Sequence, residues 1–303
     1  MSFRERFKGS QVPTVTPFVD GAIDMDSFRS HVDWLFEMGS PGVVVCGTTG
    51  EPEAVAAEER LELVKAAVDV SAGRGTVLAG TGRNRLDETI SLSRAASEAG
   101  ADGVIVITPS FVLPSQDGLI AWYQAIAKEL EDQPVLIYDN PRRTAVRMEP
   151  SSLGRLREVA PNIAGIKLSV PDVDQVTEIR EAVGPDADFA LLAGFEHYTF
   201  SMCLLGATGS VSASGNLLPA ETQRLHDLID AGEITQARAL HESIRWANLL
   251  VLKAKQHPVP VKHALHRLRG ISGEVRPPLS APDEATRQLV DDALAAWAEE
   301  ASR

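Results

Sequence analysis

Eight short apolar segments recur along this chain, and an amphipathic segment follows each of them. The amphipathic segments carry apolar residues at helical spacing and end near a Gly, as in "MDSFRSHVDWLFEMG" and "LDETISLSRAASEAG". Short apolar runs rich in β-branched residues are typical of strands buried on both faces of a parallel sheet. The predicted strands span residues 11–16, 42–47, 76–80, 103–108, 134–139, 163–169, 189–194 and 209–213.

This alternation predicts an α/β protein with a closed (β/α)8 TIM barrel rather than an open doubly wound sheet, because eight strands each precede a helix. The pattern changes after residue 232, where two helical segments are joined by the Pro-rich stretch 256–282. We therefore expect a barrel over residues 1–232 and a C-terminal helical region over residues 233–303. The length suits this division, since such barrels commonly take about 250 residues.

The charge and the residue composition argue against several kinds of ligand and site. The formal net charge is -13, which argues against a nucleic-acid partner because binding a polyphosphate requires a basic face. An anionic ligand would need a locally cationic pocket. Cys46 and Cys203 are the only cysteines, too few for a disulfide framework or a thiolate zinc site. The histidines are scattered, and only His197 lies close to a predicted strand end, so no metal site is expected.

The chain shows no targeting or membrane signal. Its first ten residues, "MSFRERFKGS", are charged and lack the apolar centre of a signal peptide. No run of about 18 apolar residues, the length needed to span a bilayer, occurs in the sequence. We therefore expect a cytoplasmic protein without a membrane partner.

Lys167 is the most unusual residue of the predicted strands. It lies between Ile166 and Leu168 in "NIAGIKLSV", near the end of the sixth strand. A lysine is seldom fully buried unless a partner neutralises it or the site uses its amine. The nearest acidic residues, Asp172 and Asp174, come only after the strand. Two interpretations remain: a structural lysine paired with a buried carboxylate, or a desolvated amine that attacks a carbonyl to form a Schiff base.

Polar residues also leave the second and fifth strands at the barrel rim, where the active sites of such barrels lie. "GTTGE" (47–51) offers two hydroxyls and a backbone that a ligand can approach closely, although an ordinary glycine turn is the alternative. "YDNPRRT" (138–144) places the Tyr138 phenol at the barrel mouth, or else in a barrel layer with its hydroxyl bonded internally. An amine, a phenol and two hydroxyls on three strand ends favour Schiff-base chemistry.

Motifs along nearly the whole chain resemble the family of pyruvate-dependent class I aldolases that includes dihydrodipicolinate synthase and N-acetylneuraminate lyase. The resemblance implies a TIM barrel, a Schiff base with pyruvate and an aldehyde co-substrate. It also implies that no cofactor or metal is needed, and that the protein is a homo-oligomer built as a dimer of dimers. The motifs that carry the resemblance, in chain order, are "PTVTPF" (13–18), "GTTGE", "YDNP", "GIK", "LLGATGSVSASGN" (204–216) and "HPVPVKHAL" (257–265).

The resemblance also implies roles for individual residues. Lys167 would form the imine with the keto carbon of pyruvate, and Tyr138 would relay protons to and from it. Thr48 and Thr49 would bind the pyruvate carboxylate, and Thr48 is the third residue that we expect to take part in catalysis. The residues whose main chain would line the site are Gly194 and Val211.

Two positions bear on the second substrate. Arg143 in "YDNPRRT" stands where synthases of this family hold an Arg for the carboxylate of the second substrate. Phe111 in "TPSF" stands where those synthases hold a relay Tyr that reaches into the partner subunit's site, and a Phe can pack there but cannot carry a proton.

The resemblance therefore leaves three functions open. The first is condensation of pyruvate with aspartate semialdehyde, as in dihydrodipicolinate synthase, which Arg143 favours. The second is an aldolase or dehydratase acting on a 2-keto-3-deoxy sugar acid. The third, motivated by Phe111, is a non-catalytic paralogue that only binds a keto acid.

Overall fold

The computed structural model of the protein describes residues 1–131, 133–252 and 256–301. Eight parallel strands close into a barrel, which confirms the predicted (β/α)8 fold. Strands that are consecutive in the chain are neighbours in the barrel, and the eighth pairs with the first. In chain order they are β1 (Gly9–Pro13), β2 (Gly42–Val45), β3 (Thr76–Gly80), β4 (Gly103–Ile107), β5 (Val135–Asp139), β6 (Ile163–Leu168), β7 (Ala190–Ala193) and β8 (Gly209–Val211).

Helices follow the strands and surround the barrel. The barrel helices are Met25–Glu37, Ala57–Ser71, Leu86–Glu98, Gln116–Glu129, Pro150–Val159, Gln175–Val183, Thr199–Leu204 and Pro219–Asp230. Two four-residue helices, Phe3–Arg6 and Pro141–Thr144, and a small two-stranded ribbon, Phe18–Val19 with Ala22–Ile23, were not predicted. Within the described ranges, no helix is long and apolar enough to cross a bilayer.

Apolar side chains fill the interior of the barrel. Phe7, just before β1, joins this inner cluster. A filled interior leaves the loops at the C-terminal ends of the strands as the place for a ligand. The other buried members of the cluster are Val44, Leu78, Ile105, Leu136, Tyr138, Ala164, Ala190, Leu192 and Val211.

Strand β1 begins two residues earlier than predicted and ends three residues earlier. Its polar residues Ser10 and Gln11 are fully buried. Ser10 Oγ donates to Thr222 Oγ1 at 3.1 Å, and Gln11 Oε1 accepts from Thr76 Oγ1 at 2.8 Å. A polar serine that is buried through a hydrogen bond does not resemble a strand residue in sequence, so the prediction began after Ser10.

Within the described residues, the C-terminal region contains four helices, two more than predicted. Val259–Arg269 lies within the Pro-rich stretch that was expected only to join two helices. Pro260 is compatible with this helix because it lies in the first turn, where a backbone N–H has no helical partner. The segment predicted as one helix over residues 233–255 forms two, Ile234–Ser243 and Arg245–Leu252, and its last three residues lie outside the described ranges.

A second apolar core joins the C-terminal helices to the barrel. Val261 and Leu265 pack in it with Leu217 and Leu218, which follow β8. The C-terminal helices therefore pack against the barrel near the ends of β1 and β8. The division of the chain at residue 232 stays a prediction.

Candidate active site

Lys167 lies on β6, and only 6% of its surface is exposed. The strand register pairs it with Tyr138 on β5, and the Lys167 Nζ atom lies 4.1 Å from the centre of the Tyr138 ring. Within the described part of the chain, the ammonium of Lys167 forms neither a salt bridge nor a hydrogen bond. The structure thus lacks the paired carboxylate that a structural lysine requires, which favours the reactive amine.

A second buried lysine provides a contrast. The side chain of Lys262 is fully buried, and its Nζ donates to Glu51 Oε1 at 2.7 Å and to the Thr16 carbonyl at 2.8 Å. Its charge is therefore compensated in the way that a buried structural lysine needs. Lys167 lies against the ring of Tyr138 and has no such compensation from any residue that the structure describes.

The phenol oxygen of Tyr138 accepts two hydrogen bonds, from Asn140 Nδ2 at 2.8 Å and from Thr48 Oγ1 at 3.4 Å. Burial alone would raise the pKa of Tyr138. The neighbouring charge of Lys167, the bonds from Thr48 and Asn140 and the charge of Arg143 outweigh burial and lower this pKa to about 8. A phenol with this pKa can give up and take back a proton near neutral pH.

The segment "GTTGE" forms a tight 3₁₀ turn over Thr48–Gly50 directly after β2. Cys46 and Glu51, on either side of it, have φ of 55° and 54°, which non-glycine residues adopt only when their surroundings hold them. Glu51 is held by Lys262 and by the backbone N–H of Arg276, which donates to its Oε2 at 3.1 Å. The turn that carries the two threonine hydroxyls is thus fixed from the C-terminal region.

Two cavities meet at Lys167. Their volumes are 440 and 240 Å³, which is the size range of small-molecule sites. The larger one extends past β2, β3 and β4, and the smaller one extends past β7 and β8. The residues that line both cavities are Thr48, Tyr138, Arg143, Lys167 and His257.

The smaller cavity is cationic, although the protein as a whole is acidic. Arg142 and Arg143 line it beside Lys167, and neither arginine forms a salt bridge with a described residue. The one carboxyl group in its lining is Glu196, whose Oε1 accepts from the Ala213 N–H at 2.7 Å. Burial raises the pKa of Glu196 and so disfavours the negatively charged form of its carboxyl group. The cavity therefore suits an anionic ligand.

Gly194 and Val211 also line the smaller cavity. The Gly194 N–H donates to the Leu168 carbonyl at 2.7 Å. A Cβ atom at Gly194 would lie 2.3 Å from Ser169 Oγ, so no side chain fits at this position. The chain therefore needs a glycine where β7 ends beside the lysine strand.

Phe111 is the one predicted site residue that the structure does not bring to Lys167. It contributes to the outer lining of the larger cavity, but 99% of its surface is exposed within this single chain. Its φ of 64° is in the left-handed region, which non-glycine residues seldom adopt. Val112 and Leu113 beside it are also exposed, at 52% and 75%.

Three residues of the site were not predicted. Asn140 comes two residues after Tyr138, and this spacing could have suggested that its side chain donates a hydrogen bond to the phenol oxygen. Glu196 follows the end of β7, but nothing in the sequence shows that its carboxyl is buried. His257, whose Nε2 lies 3.1 Å from Thr49 Oγ1, belongs to the C-terminal region, and strand-end reasoning cannot find it.

Comparisons with known proteins agree with this geometry. The model of the dihydrodipicolinate synthetase family matches residues 6–297. The 4-hydroxy-tetrahydrodipicolinate synthase of Thermus thermophilus is 40% identical over 273 residues, which cover 90% of each chain. The crystal structure of dihydrodipicolinate synthase from Thermotoga maritima superimposes with a TM-score of 0.93 at 31% identity, covering 97% of this chain and 99% of that one.

A further solved structure, a dihydrodipicolinate synthase variant described as monomeric, has a TM-score of 0.91 at 30% identity and covers 96% of each chain. The family match thus spans the barrel and most of the C-terminal region, and the relatives match over almost their full length. On this evidence the chain belongs to the dihydrodipicolinate synthetase family.

Proposed function

We propose that the protein condenses pyruvate with an aldehyde through an imine at Lys167. Membership of the family makes the chain a class I lyase that acts on pyruvate through a Schiff base. The observation that carries the residue assignment is the buried, unpaired ammonium of Lys167 against the ring of Tyr138. Among the described residues, Lys167 is the only lysine that lines either of the two cavities.

The proposed reaction follows from these two residues. The amine of Lys167 adds to the keto carbon of pyruvate, and loss of water leaves an imine. Removal of a proton from the pyruvate methyl group gives an enamine, whose carbon attacks the aldehyde, and water then releases the product and the amine. Tyr138 takes and returns the protons, with Thr48 bonded to its oxygen. The imine itself accepts the electron pair, so the scheme needs no cofactor or metal.

The pyruvate carboxylate is placed at the Thr48–Gly50 turn in this proposal. The hydroxyls of Thr48 and Thr49 line the smaller cavity beside Lys167. Hydroxyls and main-chain N–H groups at a tight turn are the donors that a carboxylate needs. Gly194 and Val211 line the opposite wall of the same cavity.

We assign the second substrate as aspartate semialdehyde, with its carboxylate bound by Arg143. Arg143 lines both cavities, so its guanidinium can reach a molecule that approaches the enamine from either of them. An arginine without a carboxylate partner is well suited to a carboxylate ligand. The names of the relatives, 4-hydroxy-tetrahydrodipicolinate synthases, support the same substrate.

A direct assay tests this assignment. The protein is incubated with pyruvate and aspartate semialdehyde, and the product is measured by mass spectrometry, with Lys167→Met as the matched inactive variant. We expect product from the wild-type protein only. The proposal is contradicted if a folded wild-type protein consumes neither pyruvate nor aspartate semialdehyde.

The second candidate is cleavage of a 2-keto-3-deoxy sugar acid, and one observation favours it. Ser169, Glu196 and His197 line the smaller cavity and could bind sugar hydroxyls, while Phe111 offers no relay hydroxyl. Release of pyruvate from 2-keto-3-deoxygluconate, in the absence of any aldehyde, would select this candidate. Binding of pyruvate with no product from either assay would select the non-catalytic paralogue.

The proposal includes a homo-oligomer. Phe111, Val112 and Leu113 form a contiguous exposed apolar segment beside the larger cavity. A monomer seldom exposes such a segment, and a second copy of the chain is the simplest cover for it. Sedimentation analysis tests this: we expect the wild-type protein to be an oligomer and Phe111→Ser with Leu113→Ser to shift it towards monomer. A monomeric wild-type protein at micromolar concentration would contradict the assignment.

A further inference from the structure

His257 connects the C-terminal region to the threonine turn. It lies just before the helix Val259–Arg269 and lines both cavities. Its Nε2 is 3.1 Å from Thr49 Oγ1, and Thr49 is buried. Among the described residues, His257 is the only hydrogen-bond partner of the Thr49 hydroxyl.

The direction of this hydrogen bond follows from the other ring nitrogen. Nδ1 of His257 is buried and has no partner among the described residues. A buried N–H without an acceptor is rarer in proteins than a buried acceptor without a donor. The proton is therefore on Nε2, and the imidazole donates to Thr49. Burial, together with the charges of Arg143 and Lys167, lowers the pKa of His257 to about 3, so the ring stays neutral.

The hydrogen bond from His257 leaves the hydrogen of the Thr49 hydroxyl available to another acceptor. A threonine hydroxyl has one hydrogen to donate, and its oxygen already accepts from His257. The hydrogen is thus free to point into the smaller cavity, which Thr49 lines together with Lys167. A donor that points into this cavity is suited to the carboxylate of a keto acid bound at Lys167.

The position of His257 is itself fixed. Five residues further along, Lys262 is bonded to Glu51 at the other end of the same turn. The C-terminal region therefore contacts "GTTGE" at two points, His257 at Thr49 and Lys262 at Glu51. This arrangement explains how a residue far from the strands in sequence can act on the turn.

We infer that His257 is a positioning residue, which holds the Thr49 hydroxyl as a hydrogen-bond donor to the carboxylate of the bound keto acid. This inference rests on the proposed function, since it requires that the keto acid binds as an imine at Lys167. It predicts an effect on keto-acid affinity and none on the chemistry of the bound molecule.

The test uses the full chain with pyruvate alone, borohydride reduction and intact-mass spectrometry, so that no second substrate is needed. In His257→Leu we expect the pyruvate concentration for half-maximal trapping to rise about tenfold, the factor supplied by one hydrogen bond to a charged group. The maximal trapped fraction stays the same. His257→Gln, whose amide nitrogen can occupy the place of Nε2, should restore half-maximal trapping to within about threefold of the wild type.

A double-mutant cycle shows whether His257 acts through Thr49. Thr49→Val alone should raise the half-maximal pyruvate concentration, and adding His257→Leu should change it little more. His263→Leu is the matched control, because His263 lies on the helix that follows His257 but lines neither cavity. We expect it to behave like the wild type.

The outcomes are distinct. Unchanged half-maximal trapping in His257→Leu, a lowered maximal fraction or additive effects with Thr49→Val would each overturn the inference while leaving the imine at Lys167 in place. If the leucine variant does not fold, His257→Asn, whose amide is too short to reach Thr49, is expected to give the same tenfold rise. Absence of any adduct in the wild type would overturn the proposed function and this inference with it.

Discussion

Lys167 and Tyr138 occupy paired positions on neighbouring strands, and the Lys167 Nζ atom lies 4.1 Å from the centre of the Tyr138 ring. The parallel register fixes this distance, because both side chains point to the same side of adjacent strands. A positive charge over an aromatic face is favourable, and the same charge stabilises the phenolate form of Tyr138. The pair therefore couples the proposed nucleophile to the proposed proton carrier.

This coupling predicts a titration that depends on Lys167. The pKa of Tyr138 is about 8, whereas burial raises the pKa of Tyr123 well above its ordinary value. We expect ultraviolet absorbance to show one tyrosine that ionises near pH 8, and this transition should be missing in Tyr138→Phe. In Lys167→Met the transition should move to higher pH, because the ammonium no longer opposes the effect of burial. An unchanged midpoint in Lys167→Met would show that other groups set this pKa.

The proposed role of Arg143 predicts a selective change in Michaelis constants. Arg143→Ala should raise KM for aspartate semialdehyde roughly 10- to 100-fold, since a charge-assisted hydrogen bond is lost, and change KM for pyruvate far less. Arg142→Ala is the control, because Arg142 carries the same charge one residue away but lines only the smaller cavity. An equal rise in both constants for Arg143→Ala would argue against a specific carboxylate contact.

The buried carboxyl group of Asp139 makes the stability of the protein depend on pH. The residue is fully buried, its Oδ1 accepts from the Met148 N–H at 3.2 Å, and its Oδ2 has no partner among the described residues. Burial raises its pKa to about 7, although the Met148 N–H and the charge of Arg147 work in the opposite direction. The folded chain thus retains a proton on Asp139 that the unfolded chain releases near pH 4.

The sign of the effect on stability follows from this difference. Below about pH 4 Asp139 is neutral in both states, and its contribution to stability is fully present. As the pH rises towards 7 only the unfolded chain ionises, so the free energy of unfolding falls by roughly 2–4 kcal/mol and then stays level. Asp139→Asn should therefore be more stable than the wild type near pH 8 and gain little near pH 4. Thermal unfolding at both values checks this, and equal shifts at the two would contradict it.

The buried pair of Lys262 and Glu51 should dominate the stability of the threonine turn. Lys262→Met leaves an uncompensated buried carboxylate and is expected to lower the free energy of unfolding by about 3–5 kcal/mol. Adding Glu51→Gln should recover part of this loss. The control is Arg267→Met, which breaks an exposed pair with Asp291 and should cost less than about 1 kcal/mol. Urea denaturation distinguishes these values, and similar losses for both single variants would contradict the assignment.

Much of the barrel could be predicted from its pattern of strands and helices. Strand β3 matches its prediction at both ends because its apolar run is bounded by turn residues, whereas β1 begins two residues before its prediction because Ser10 is polar and is buried through a hydrogen bond. The helix Val259–Arg269 was missed because prolines mark its start as well as the loop before it. Periodicity detects apolar faces and therefore overlooks elements whose buried groups are polar or whose ends contain proline.

The residues of the candidate site also differ in whether the sequence could predict them. Lys167, Tyr138 and Thr48 lie at strand ends, so barrel geometry alone predicts that they converge. His257 reaches Thr49 from a region more than 200 residues away, and only the packing of the C-terminal helices brings the two together. The 99% exposure of Phe111 could not be predicted either, since an aromatic residue between apolar neighbours is usually buried.

The imine at Lys167 is the central claim, and trapping it is the most direct test. The protein is incubated with pyruvate, reduced with borohydride and digested with trypsin, which does not cut at a modified lysine. The account predicts the reduced pyruvate adduct in a peptide spanning residues 158–180, in which Lys167 is the only lysine, and no adduct in Lys167→Met. An adduct on any other lysine, or none on a folded protein, would contradict it.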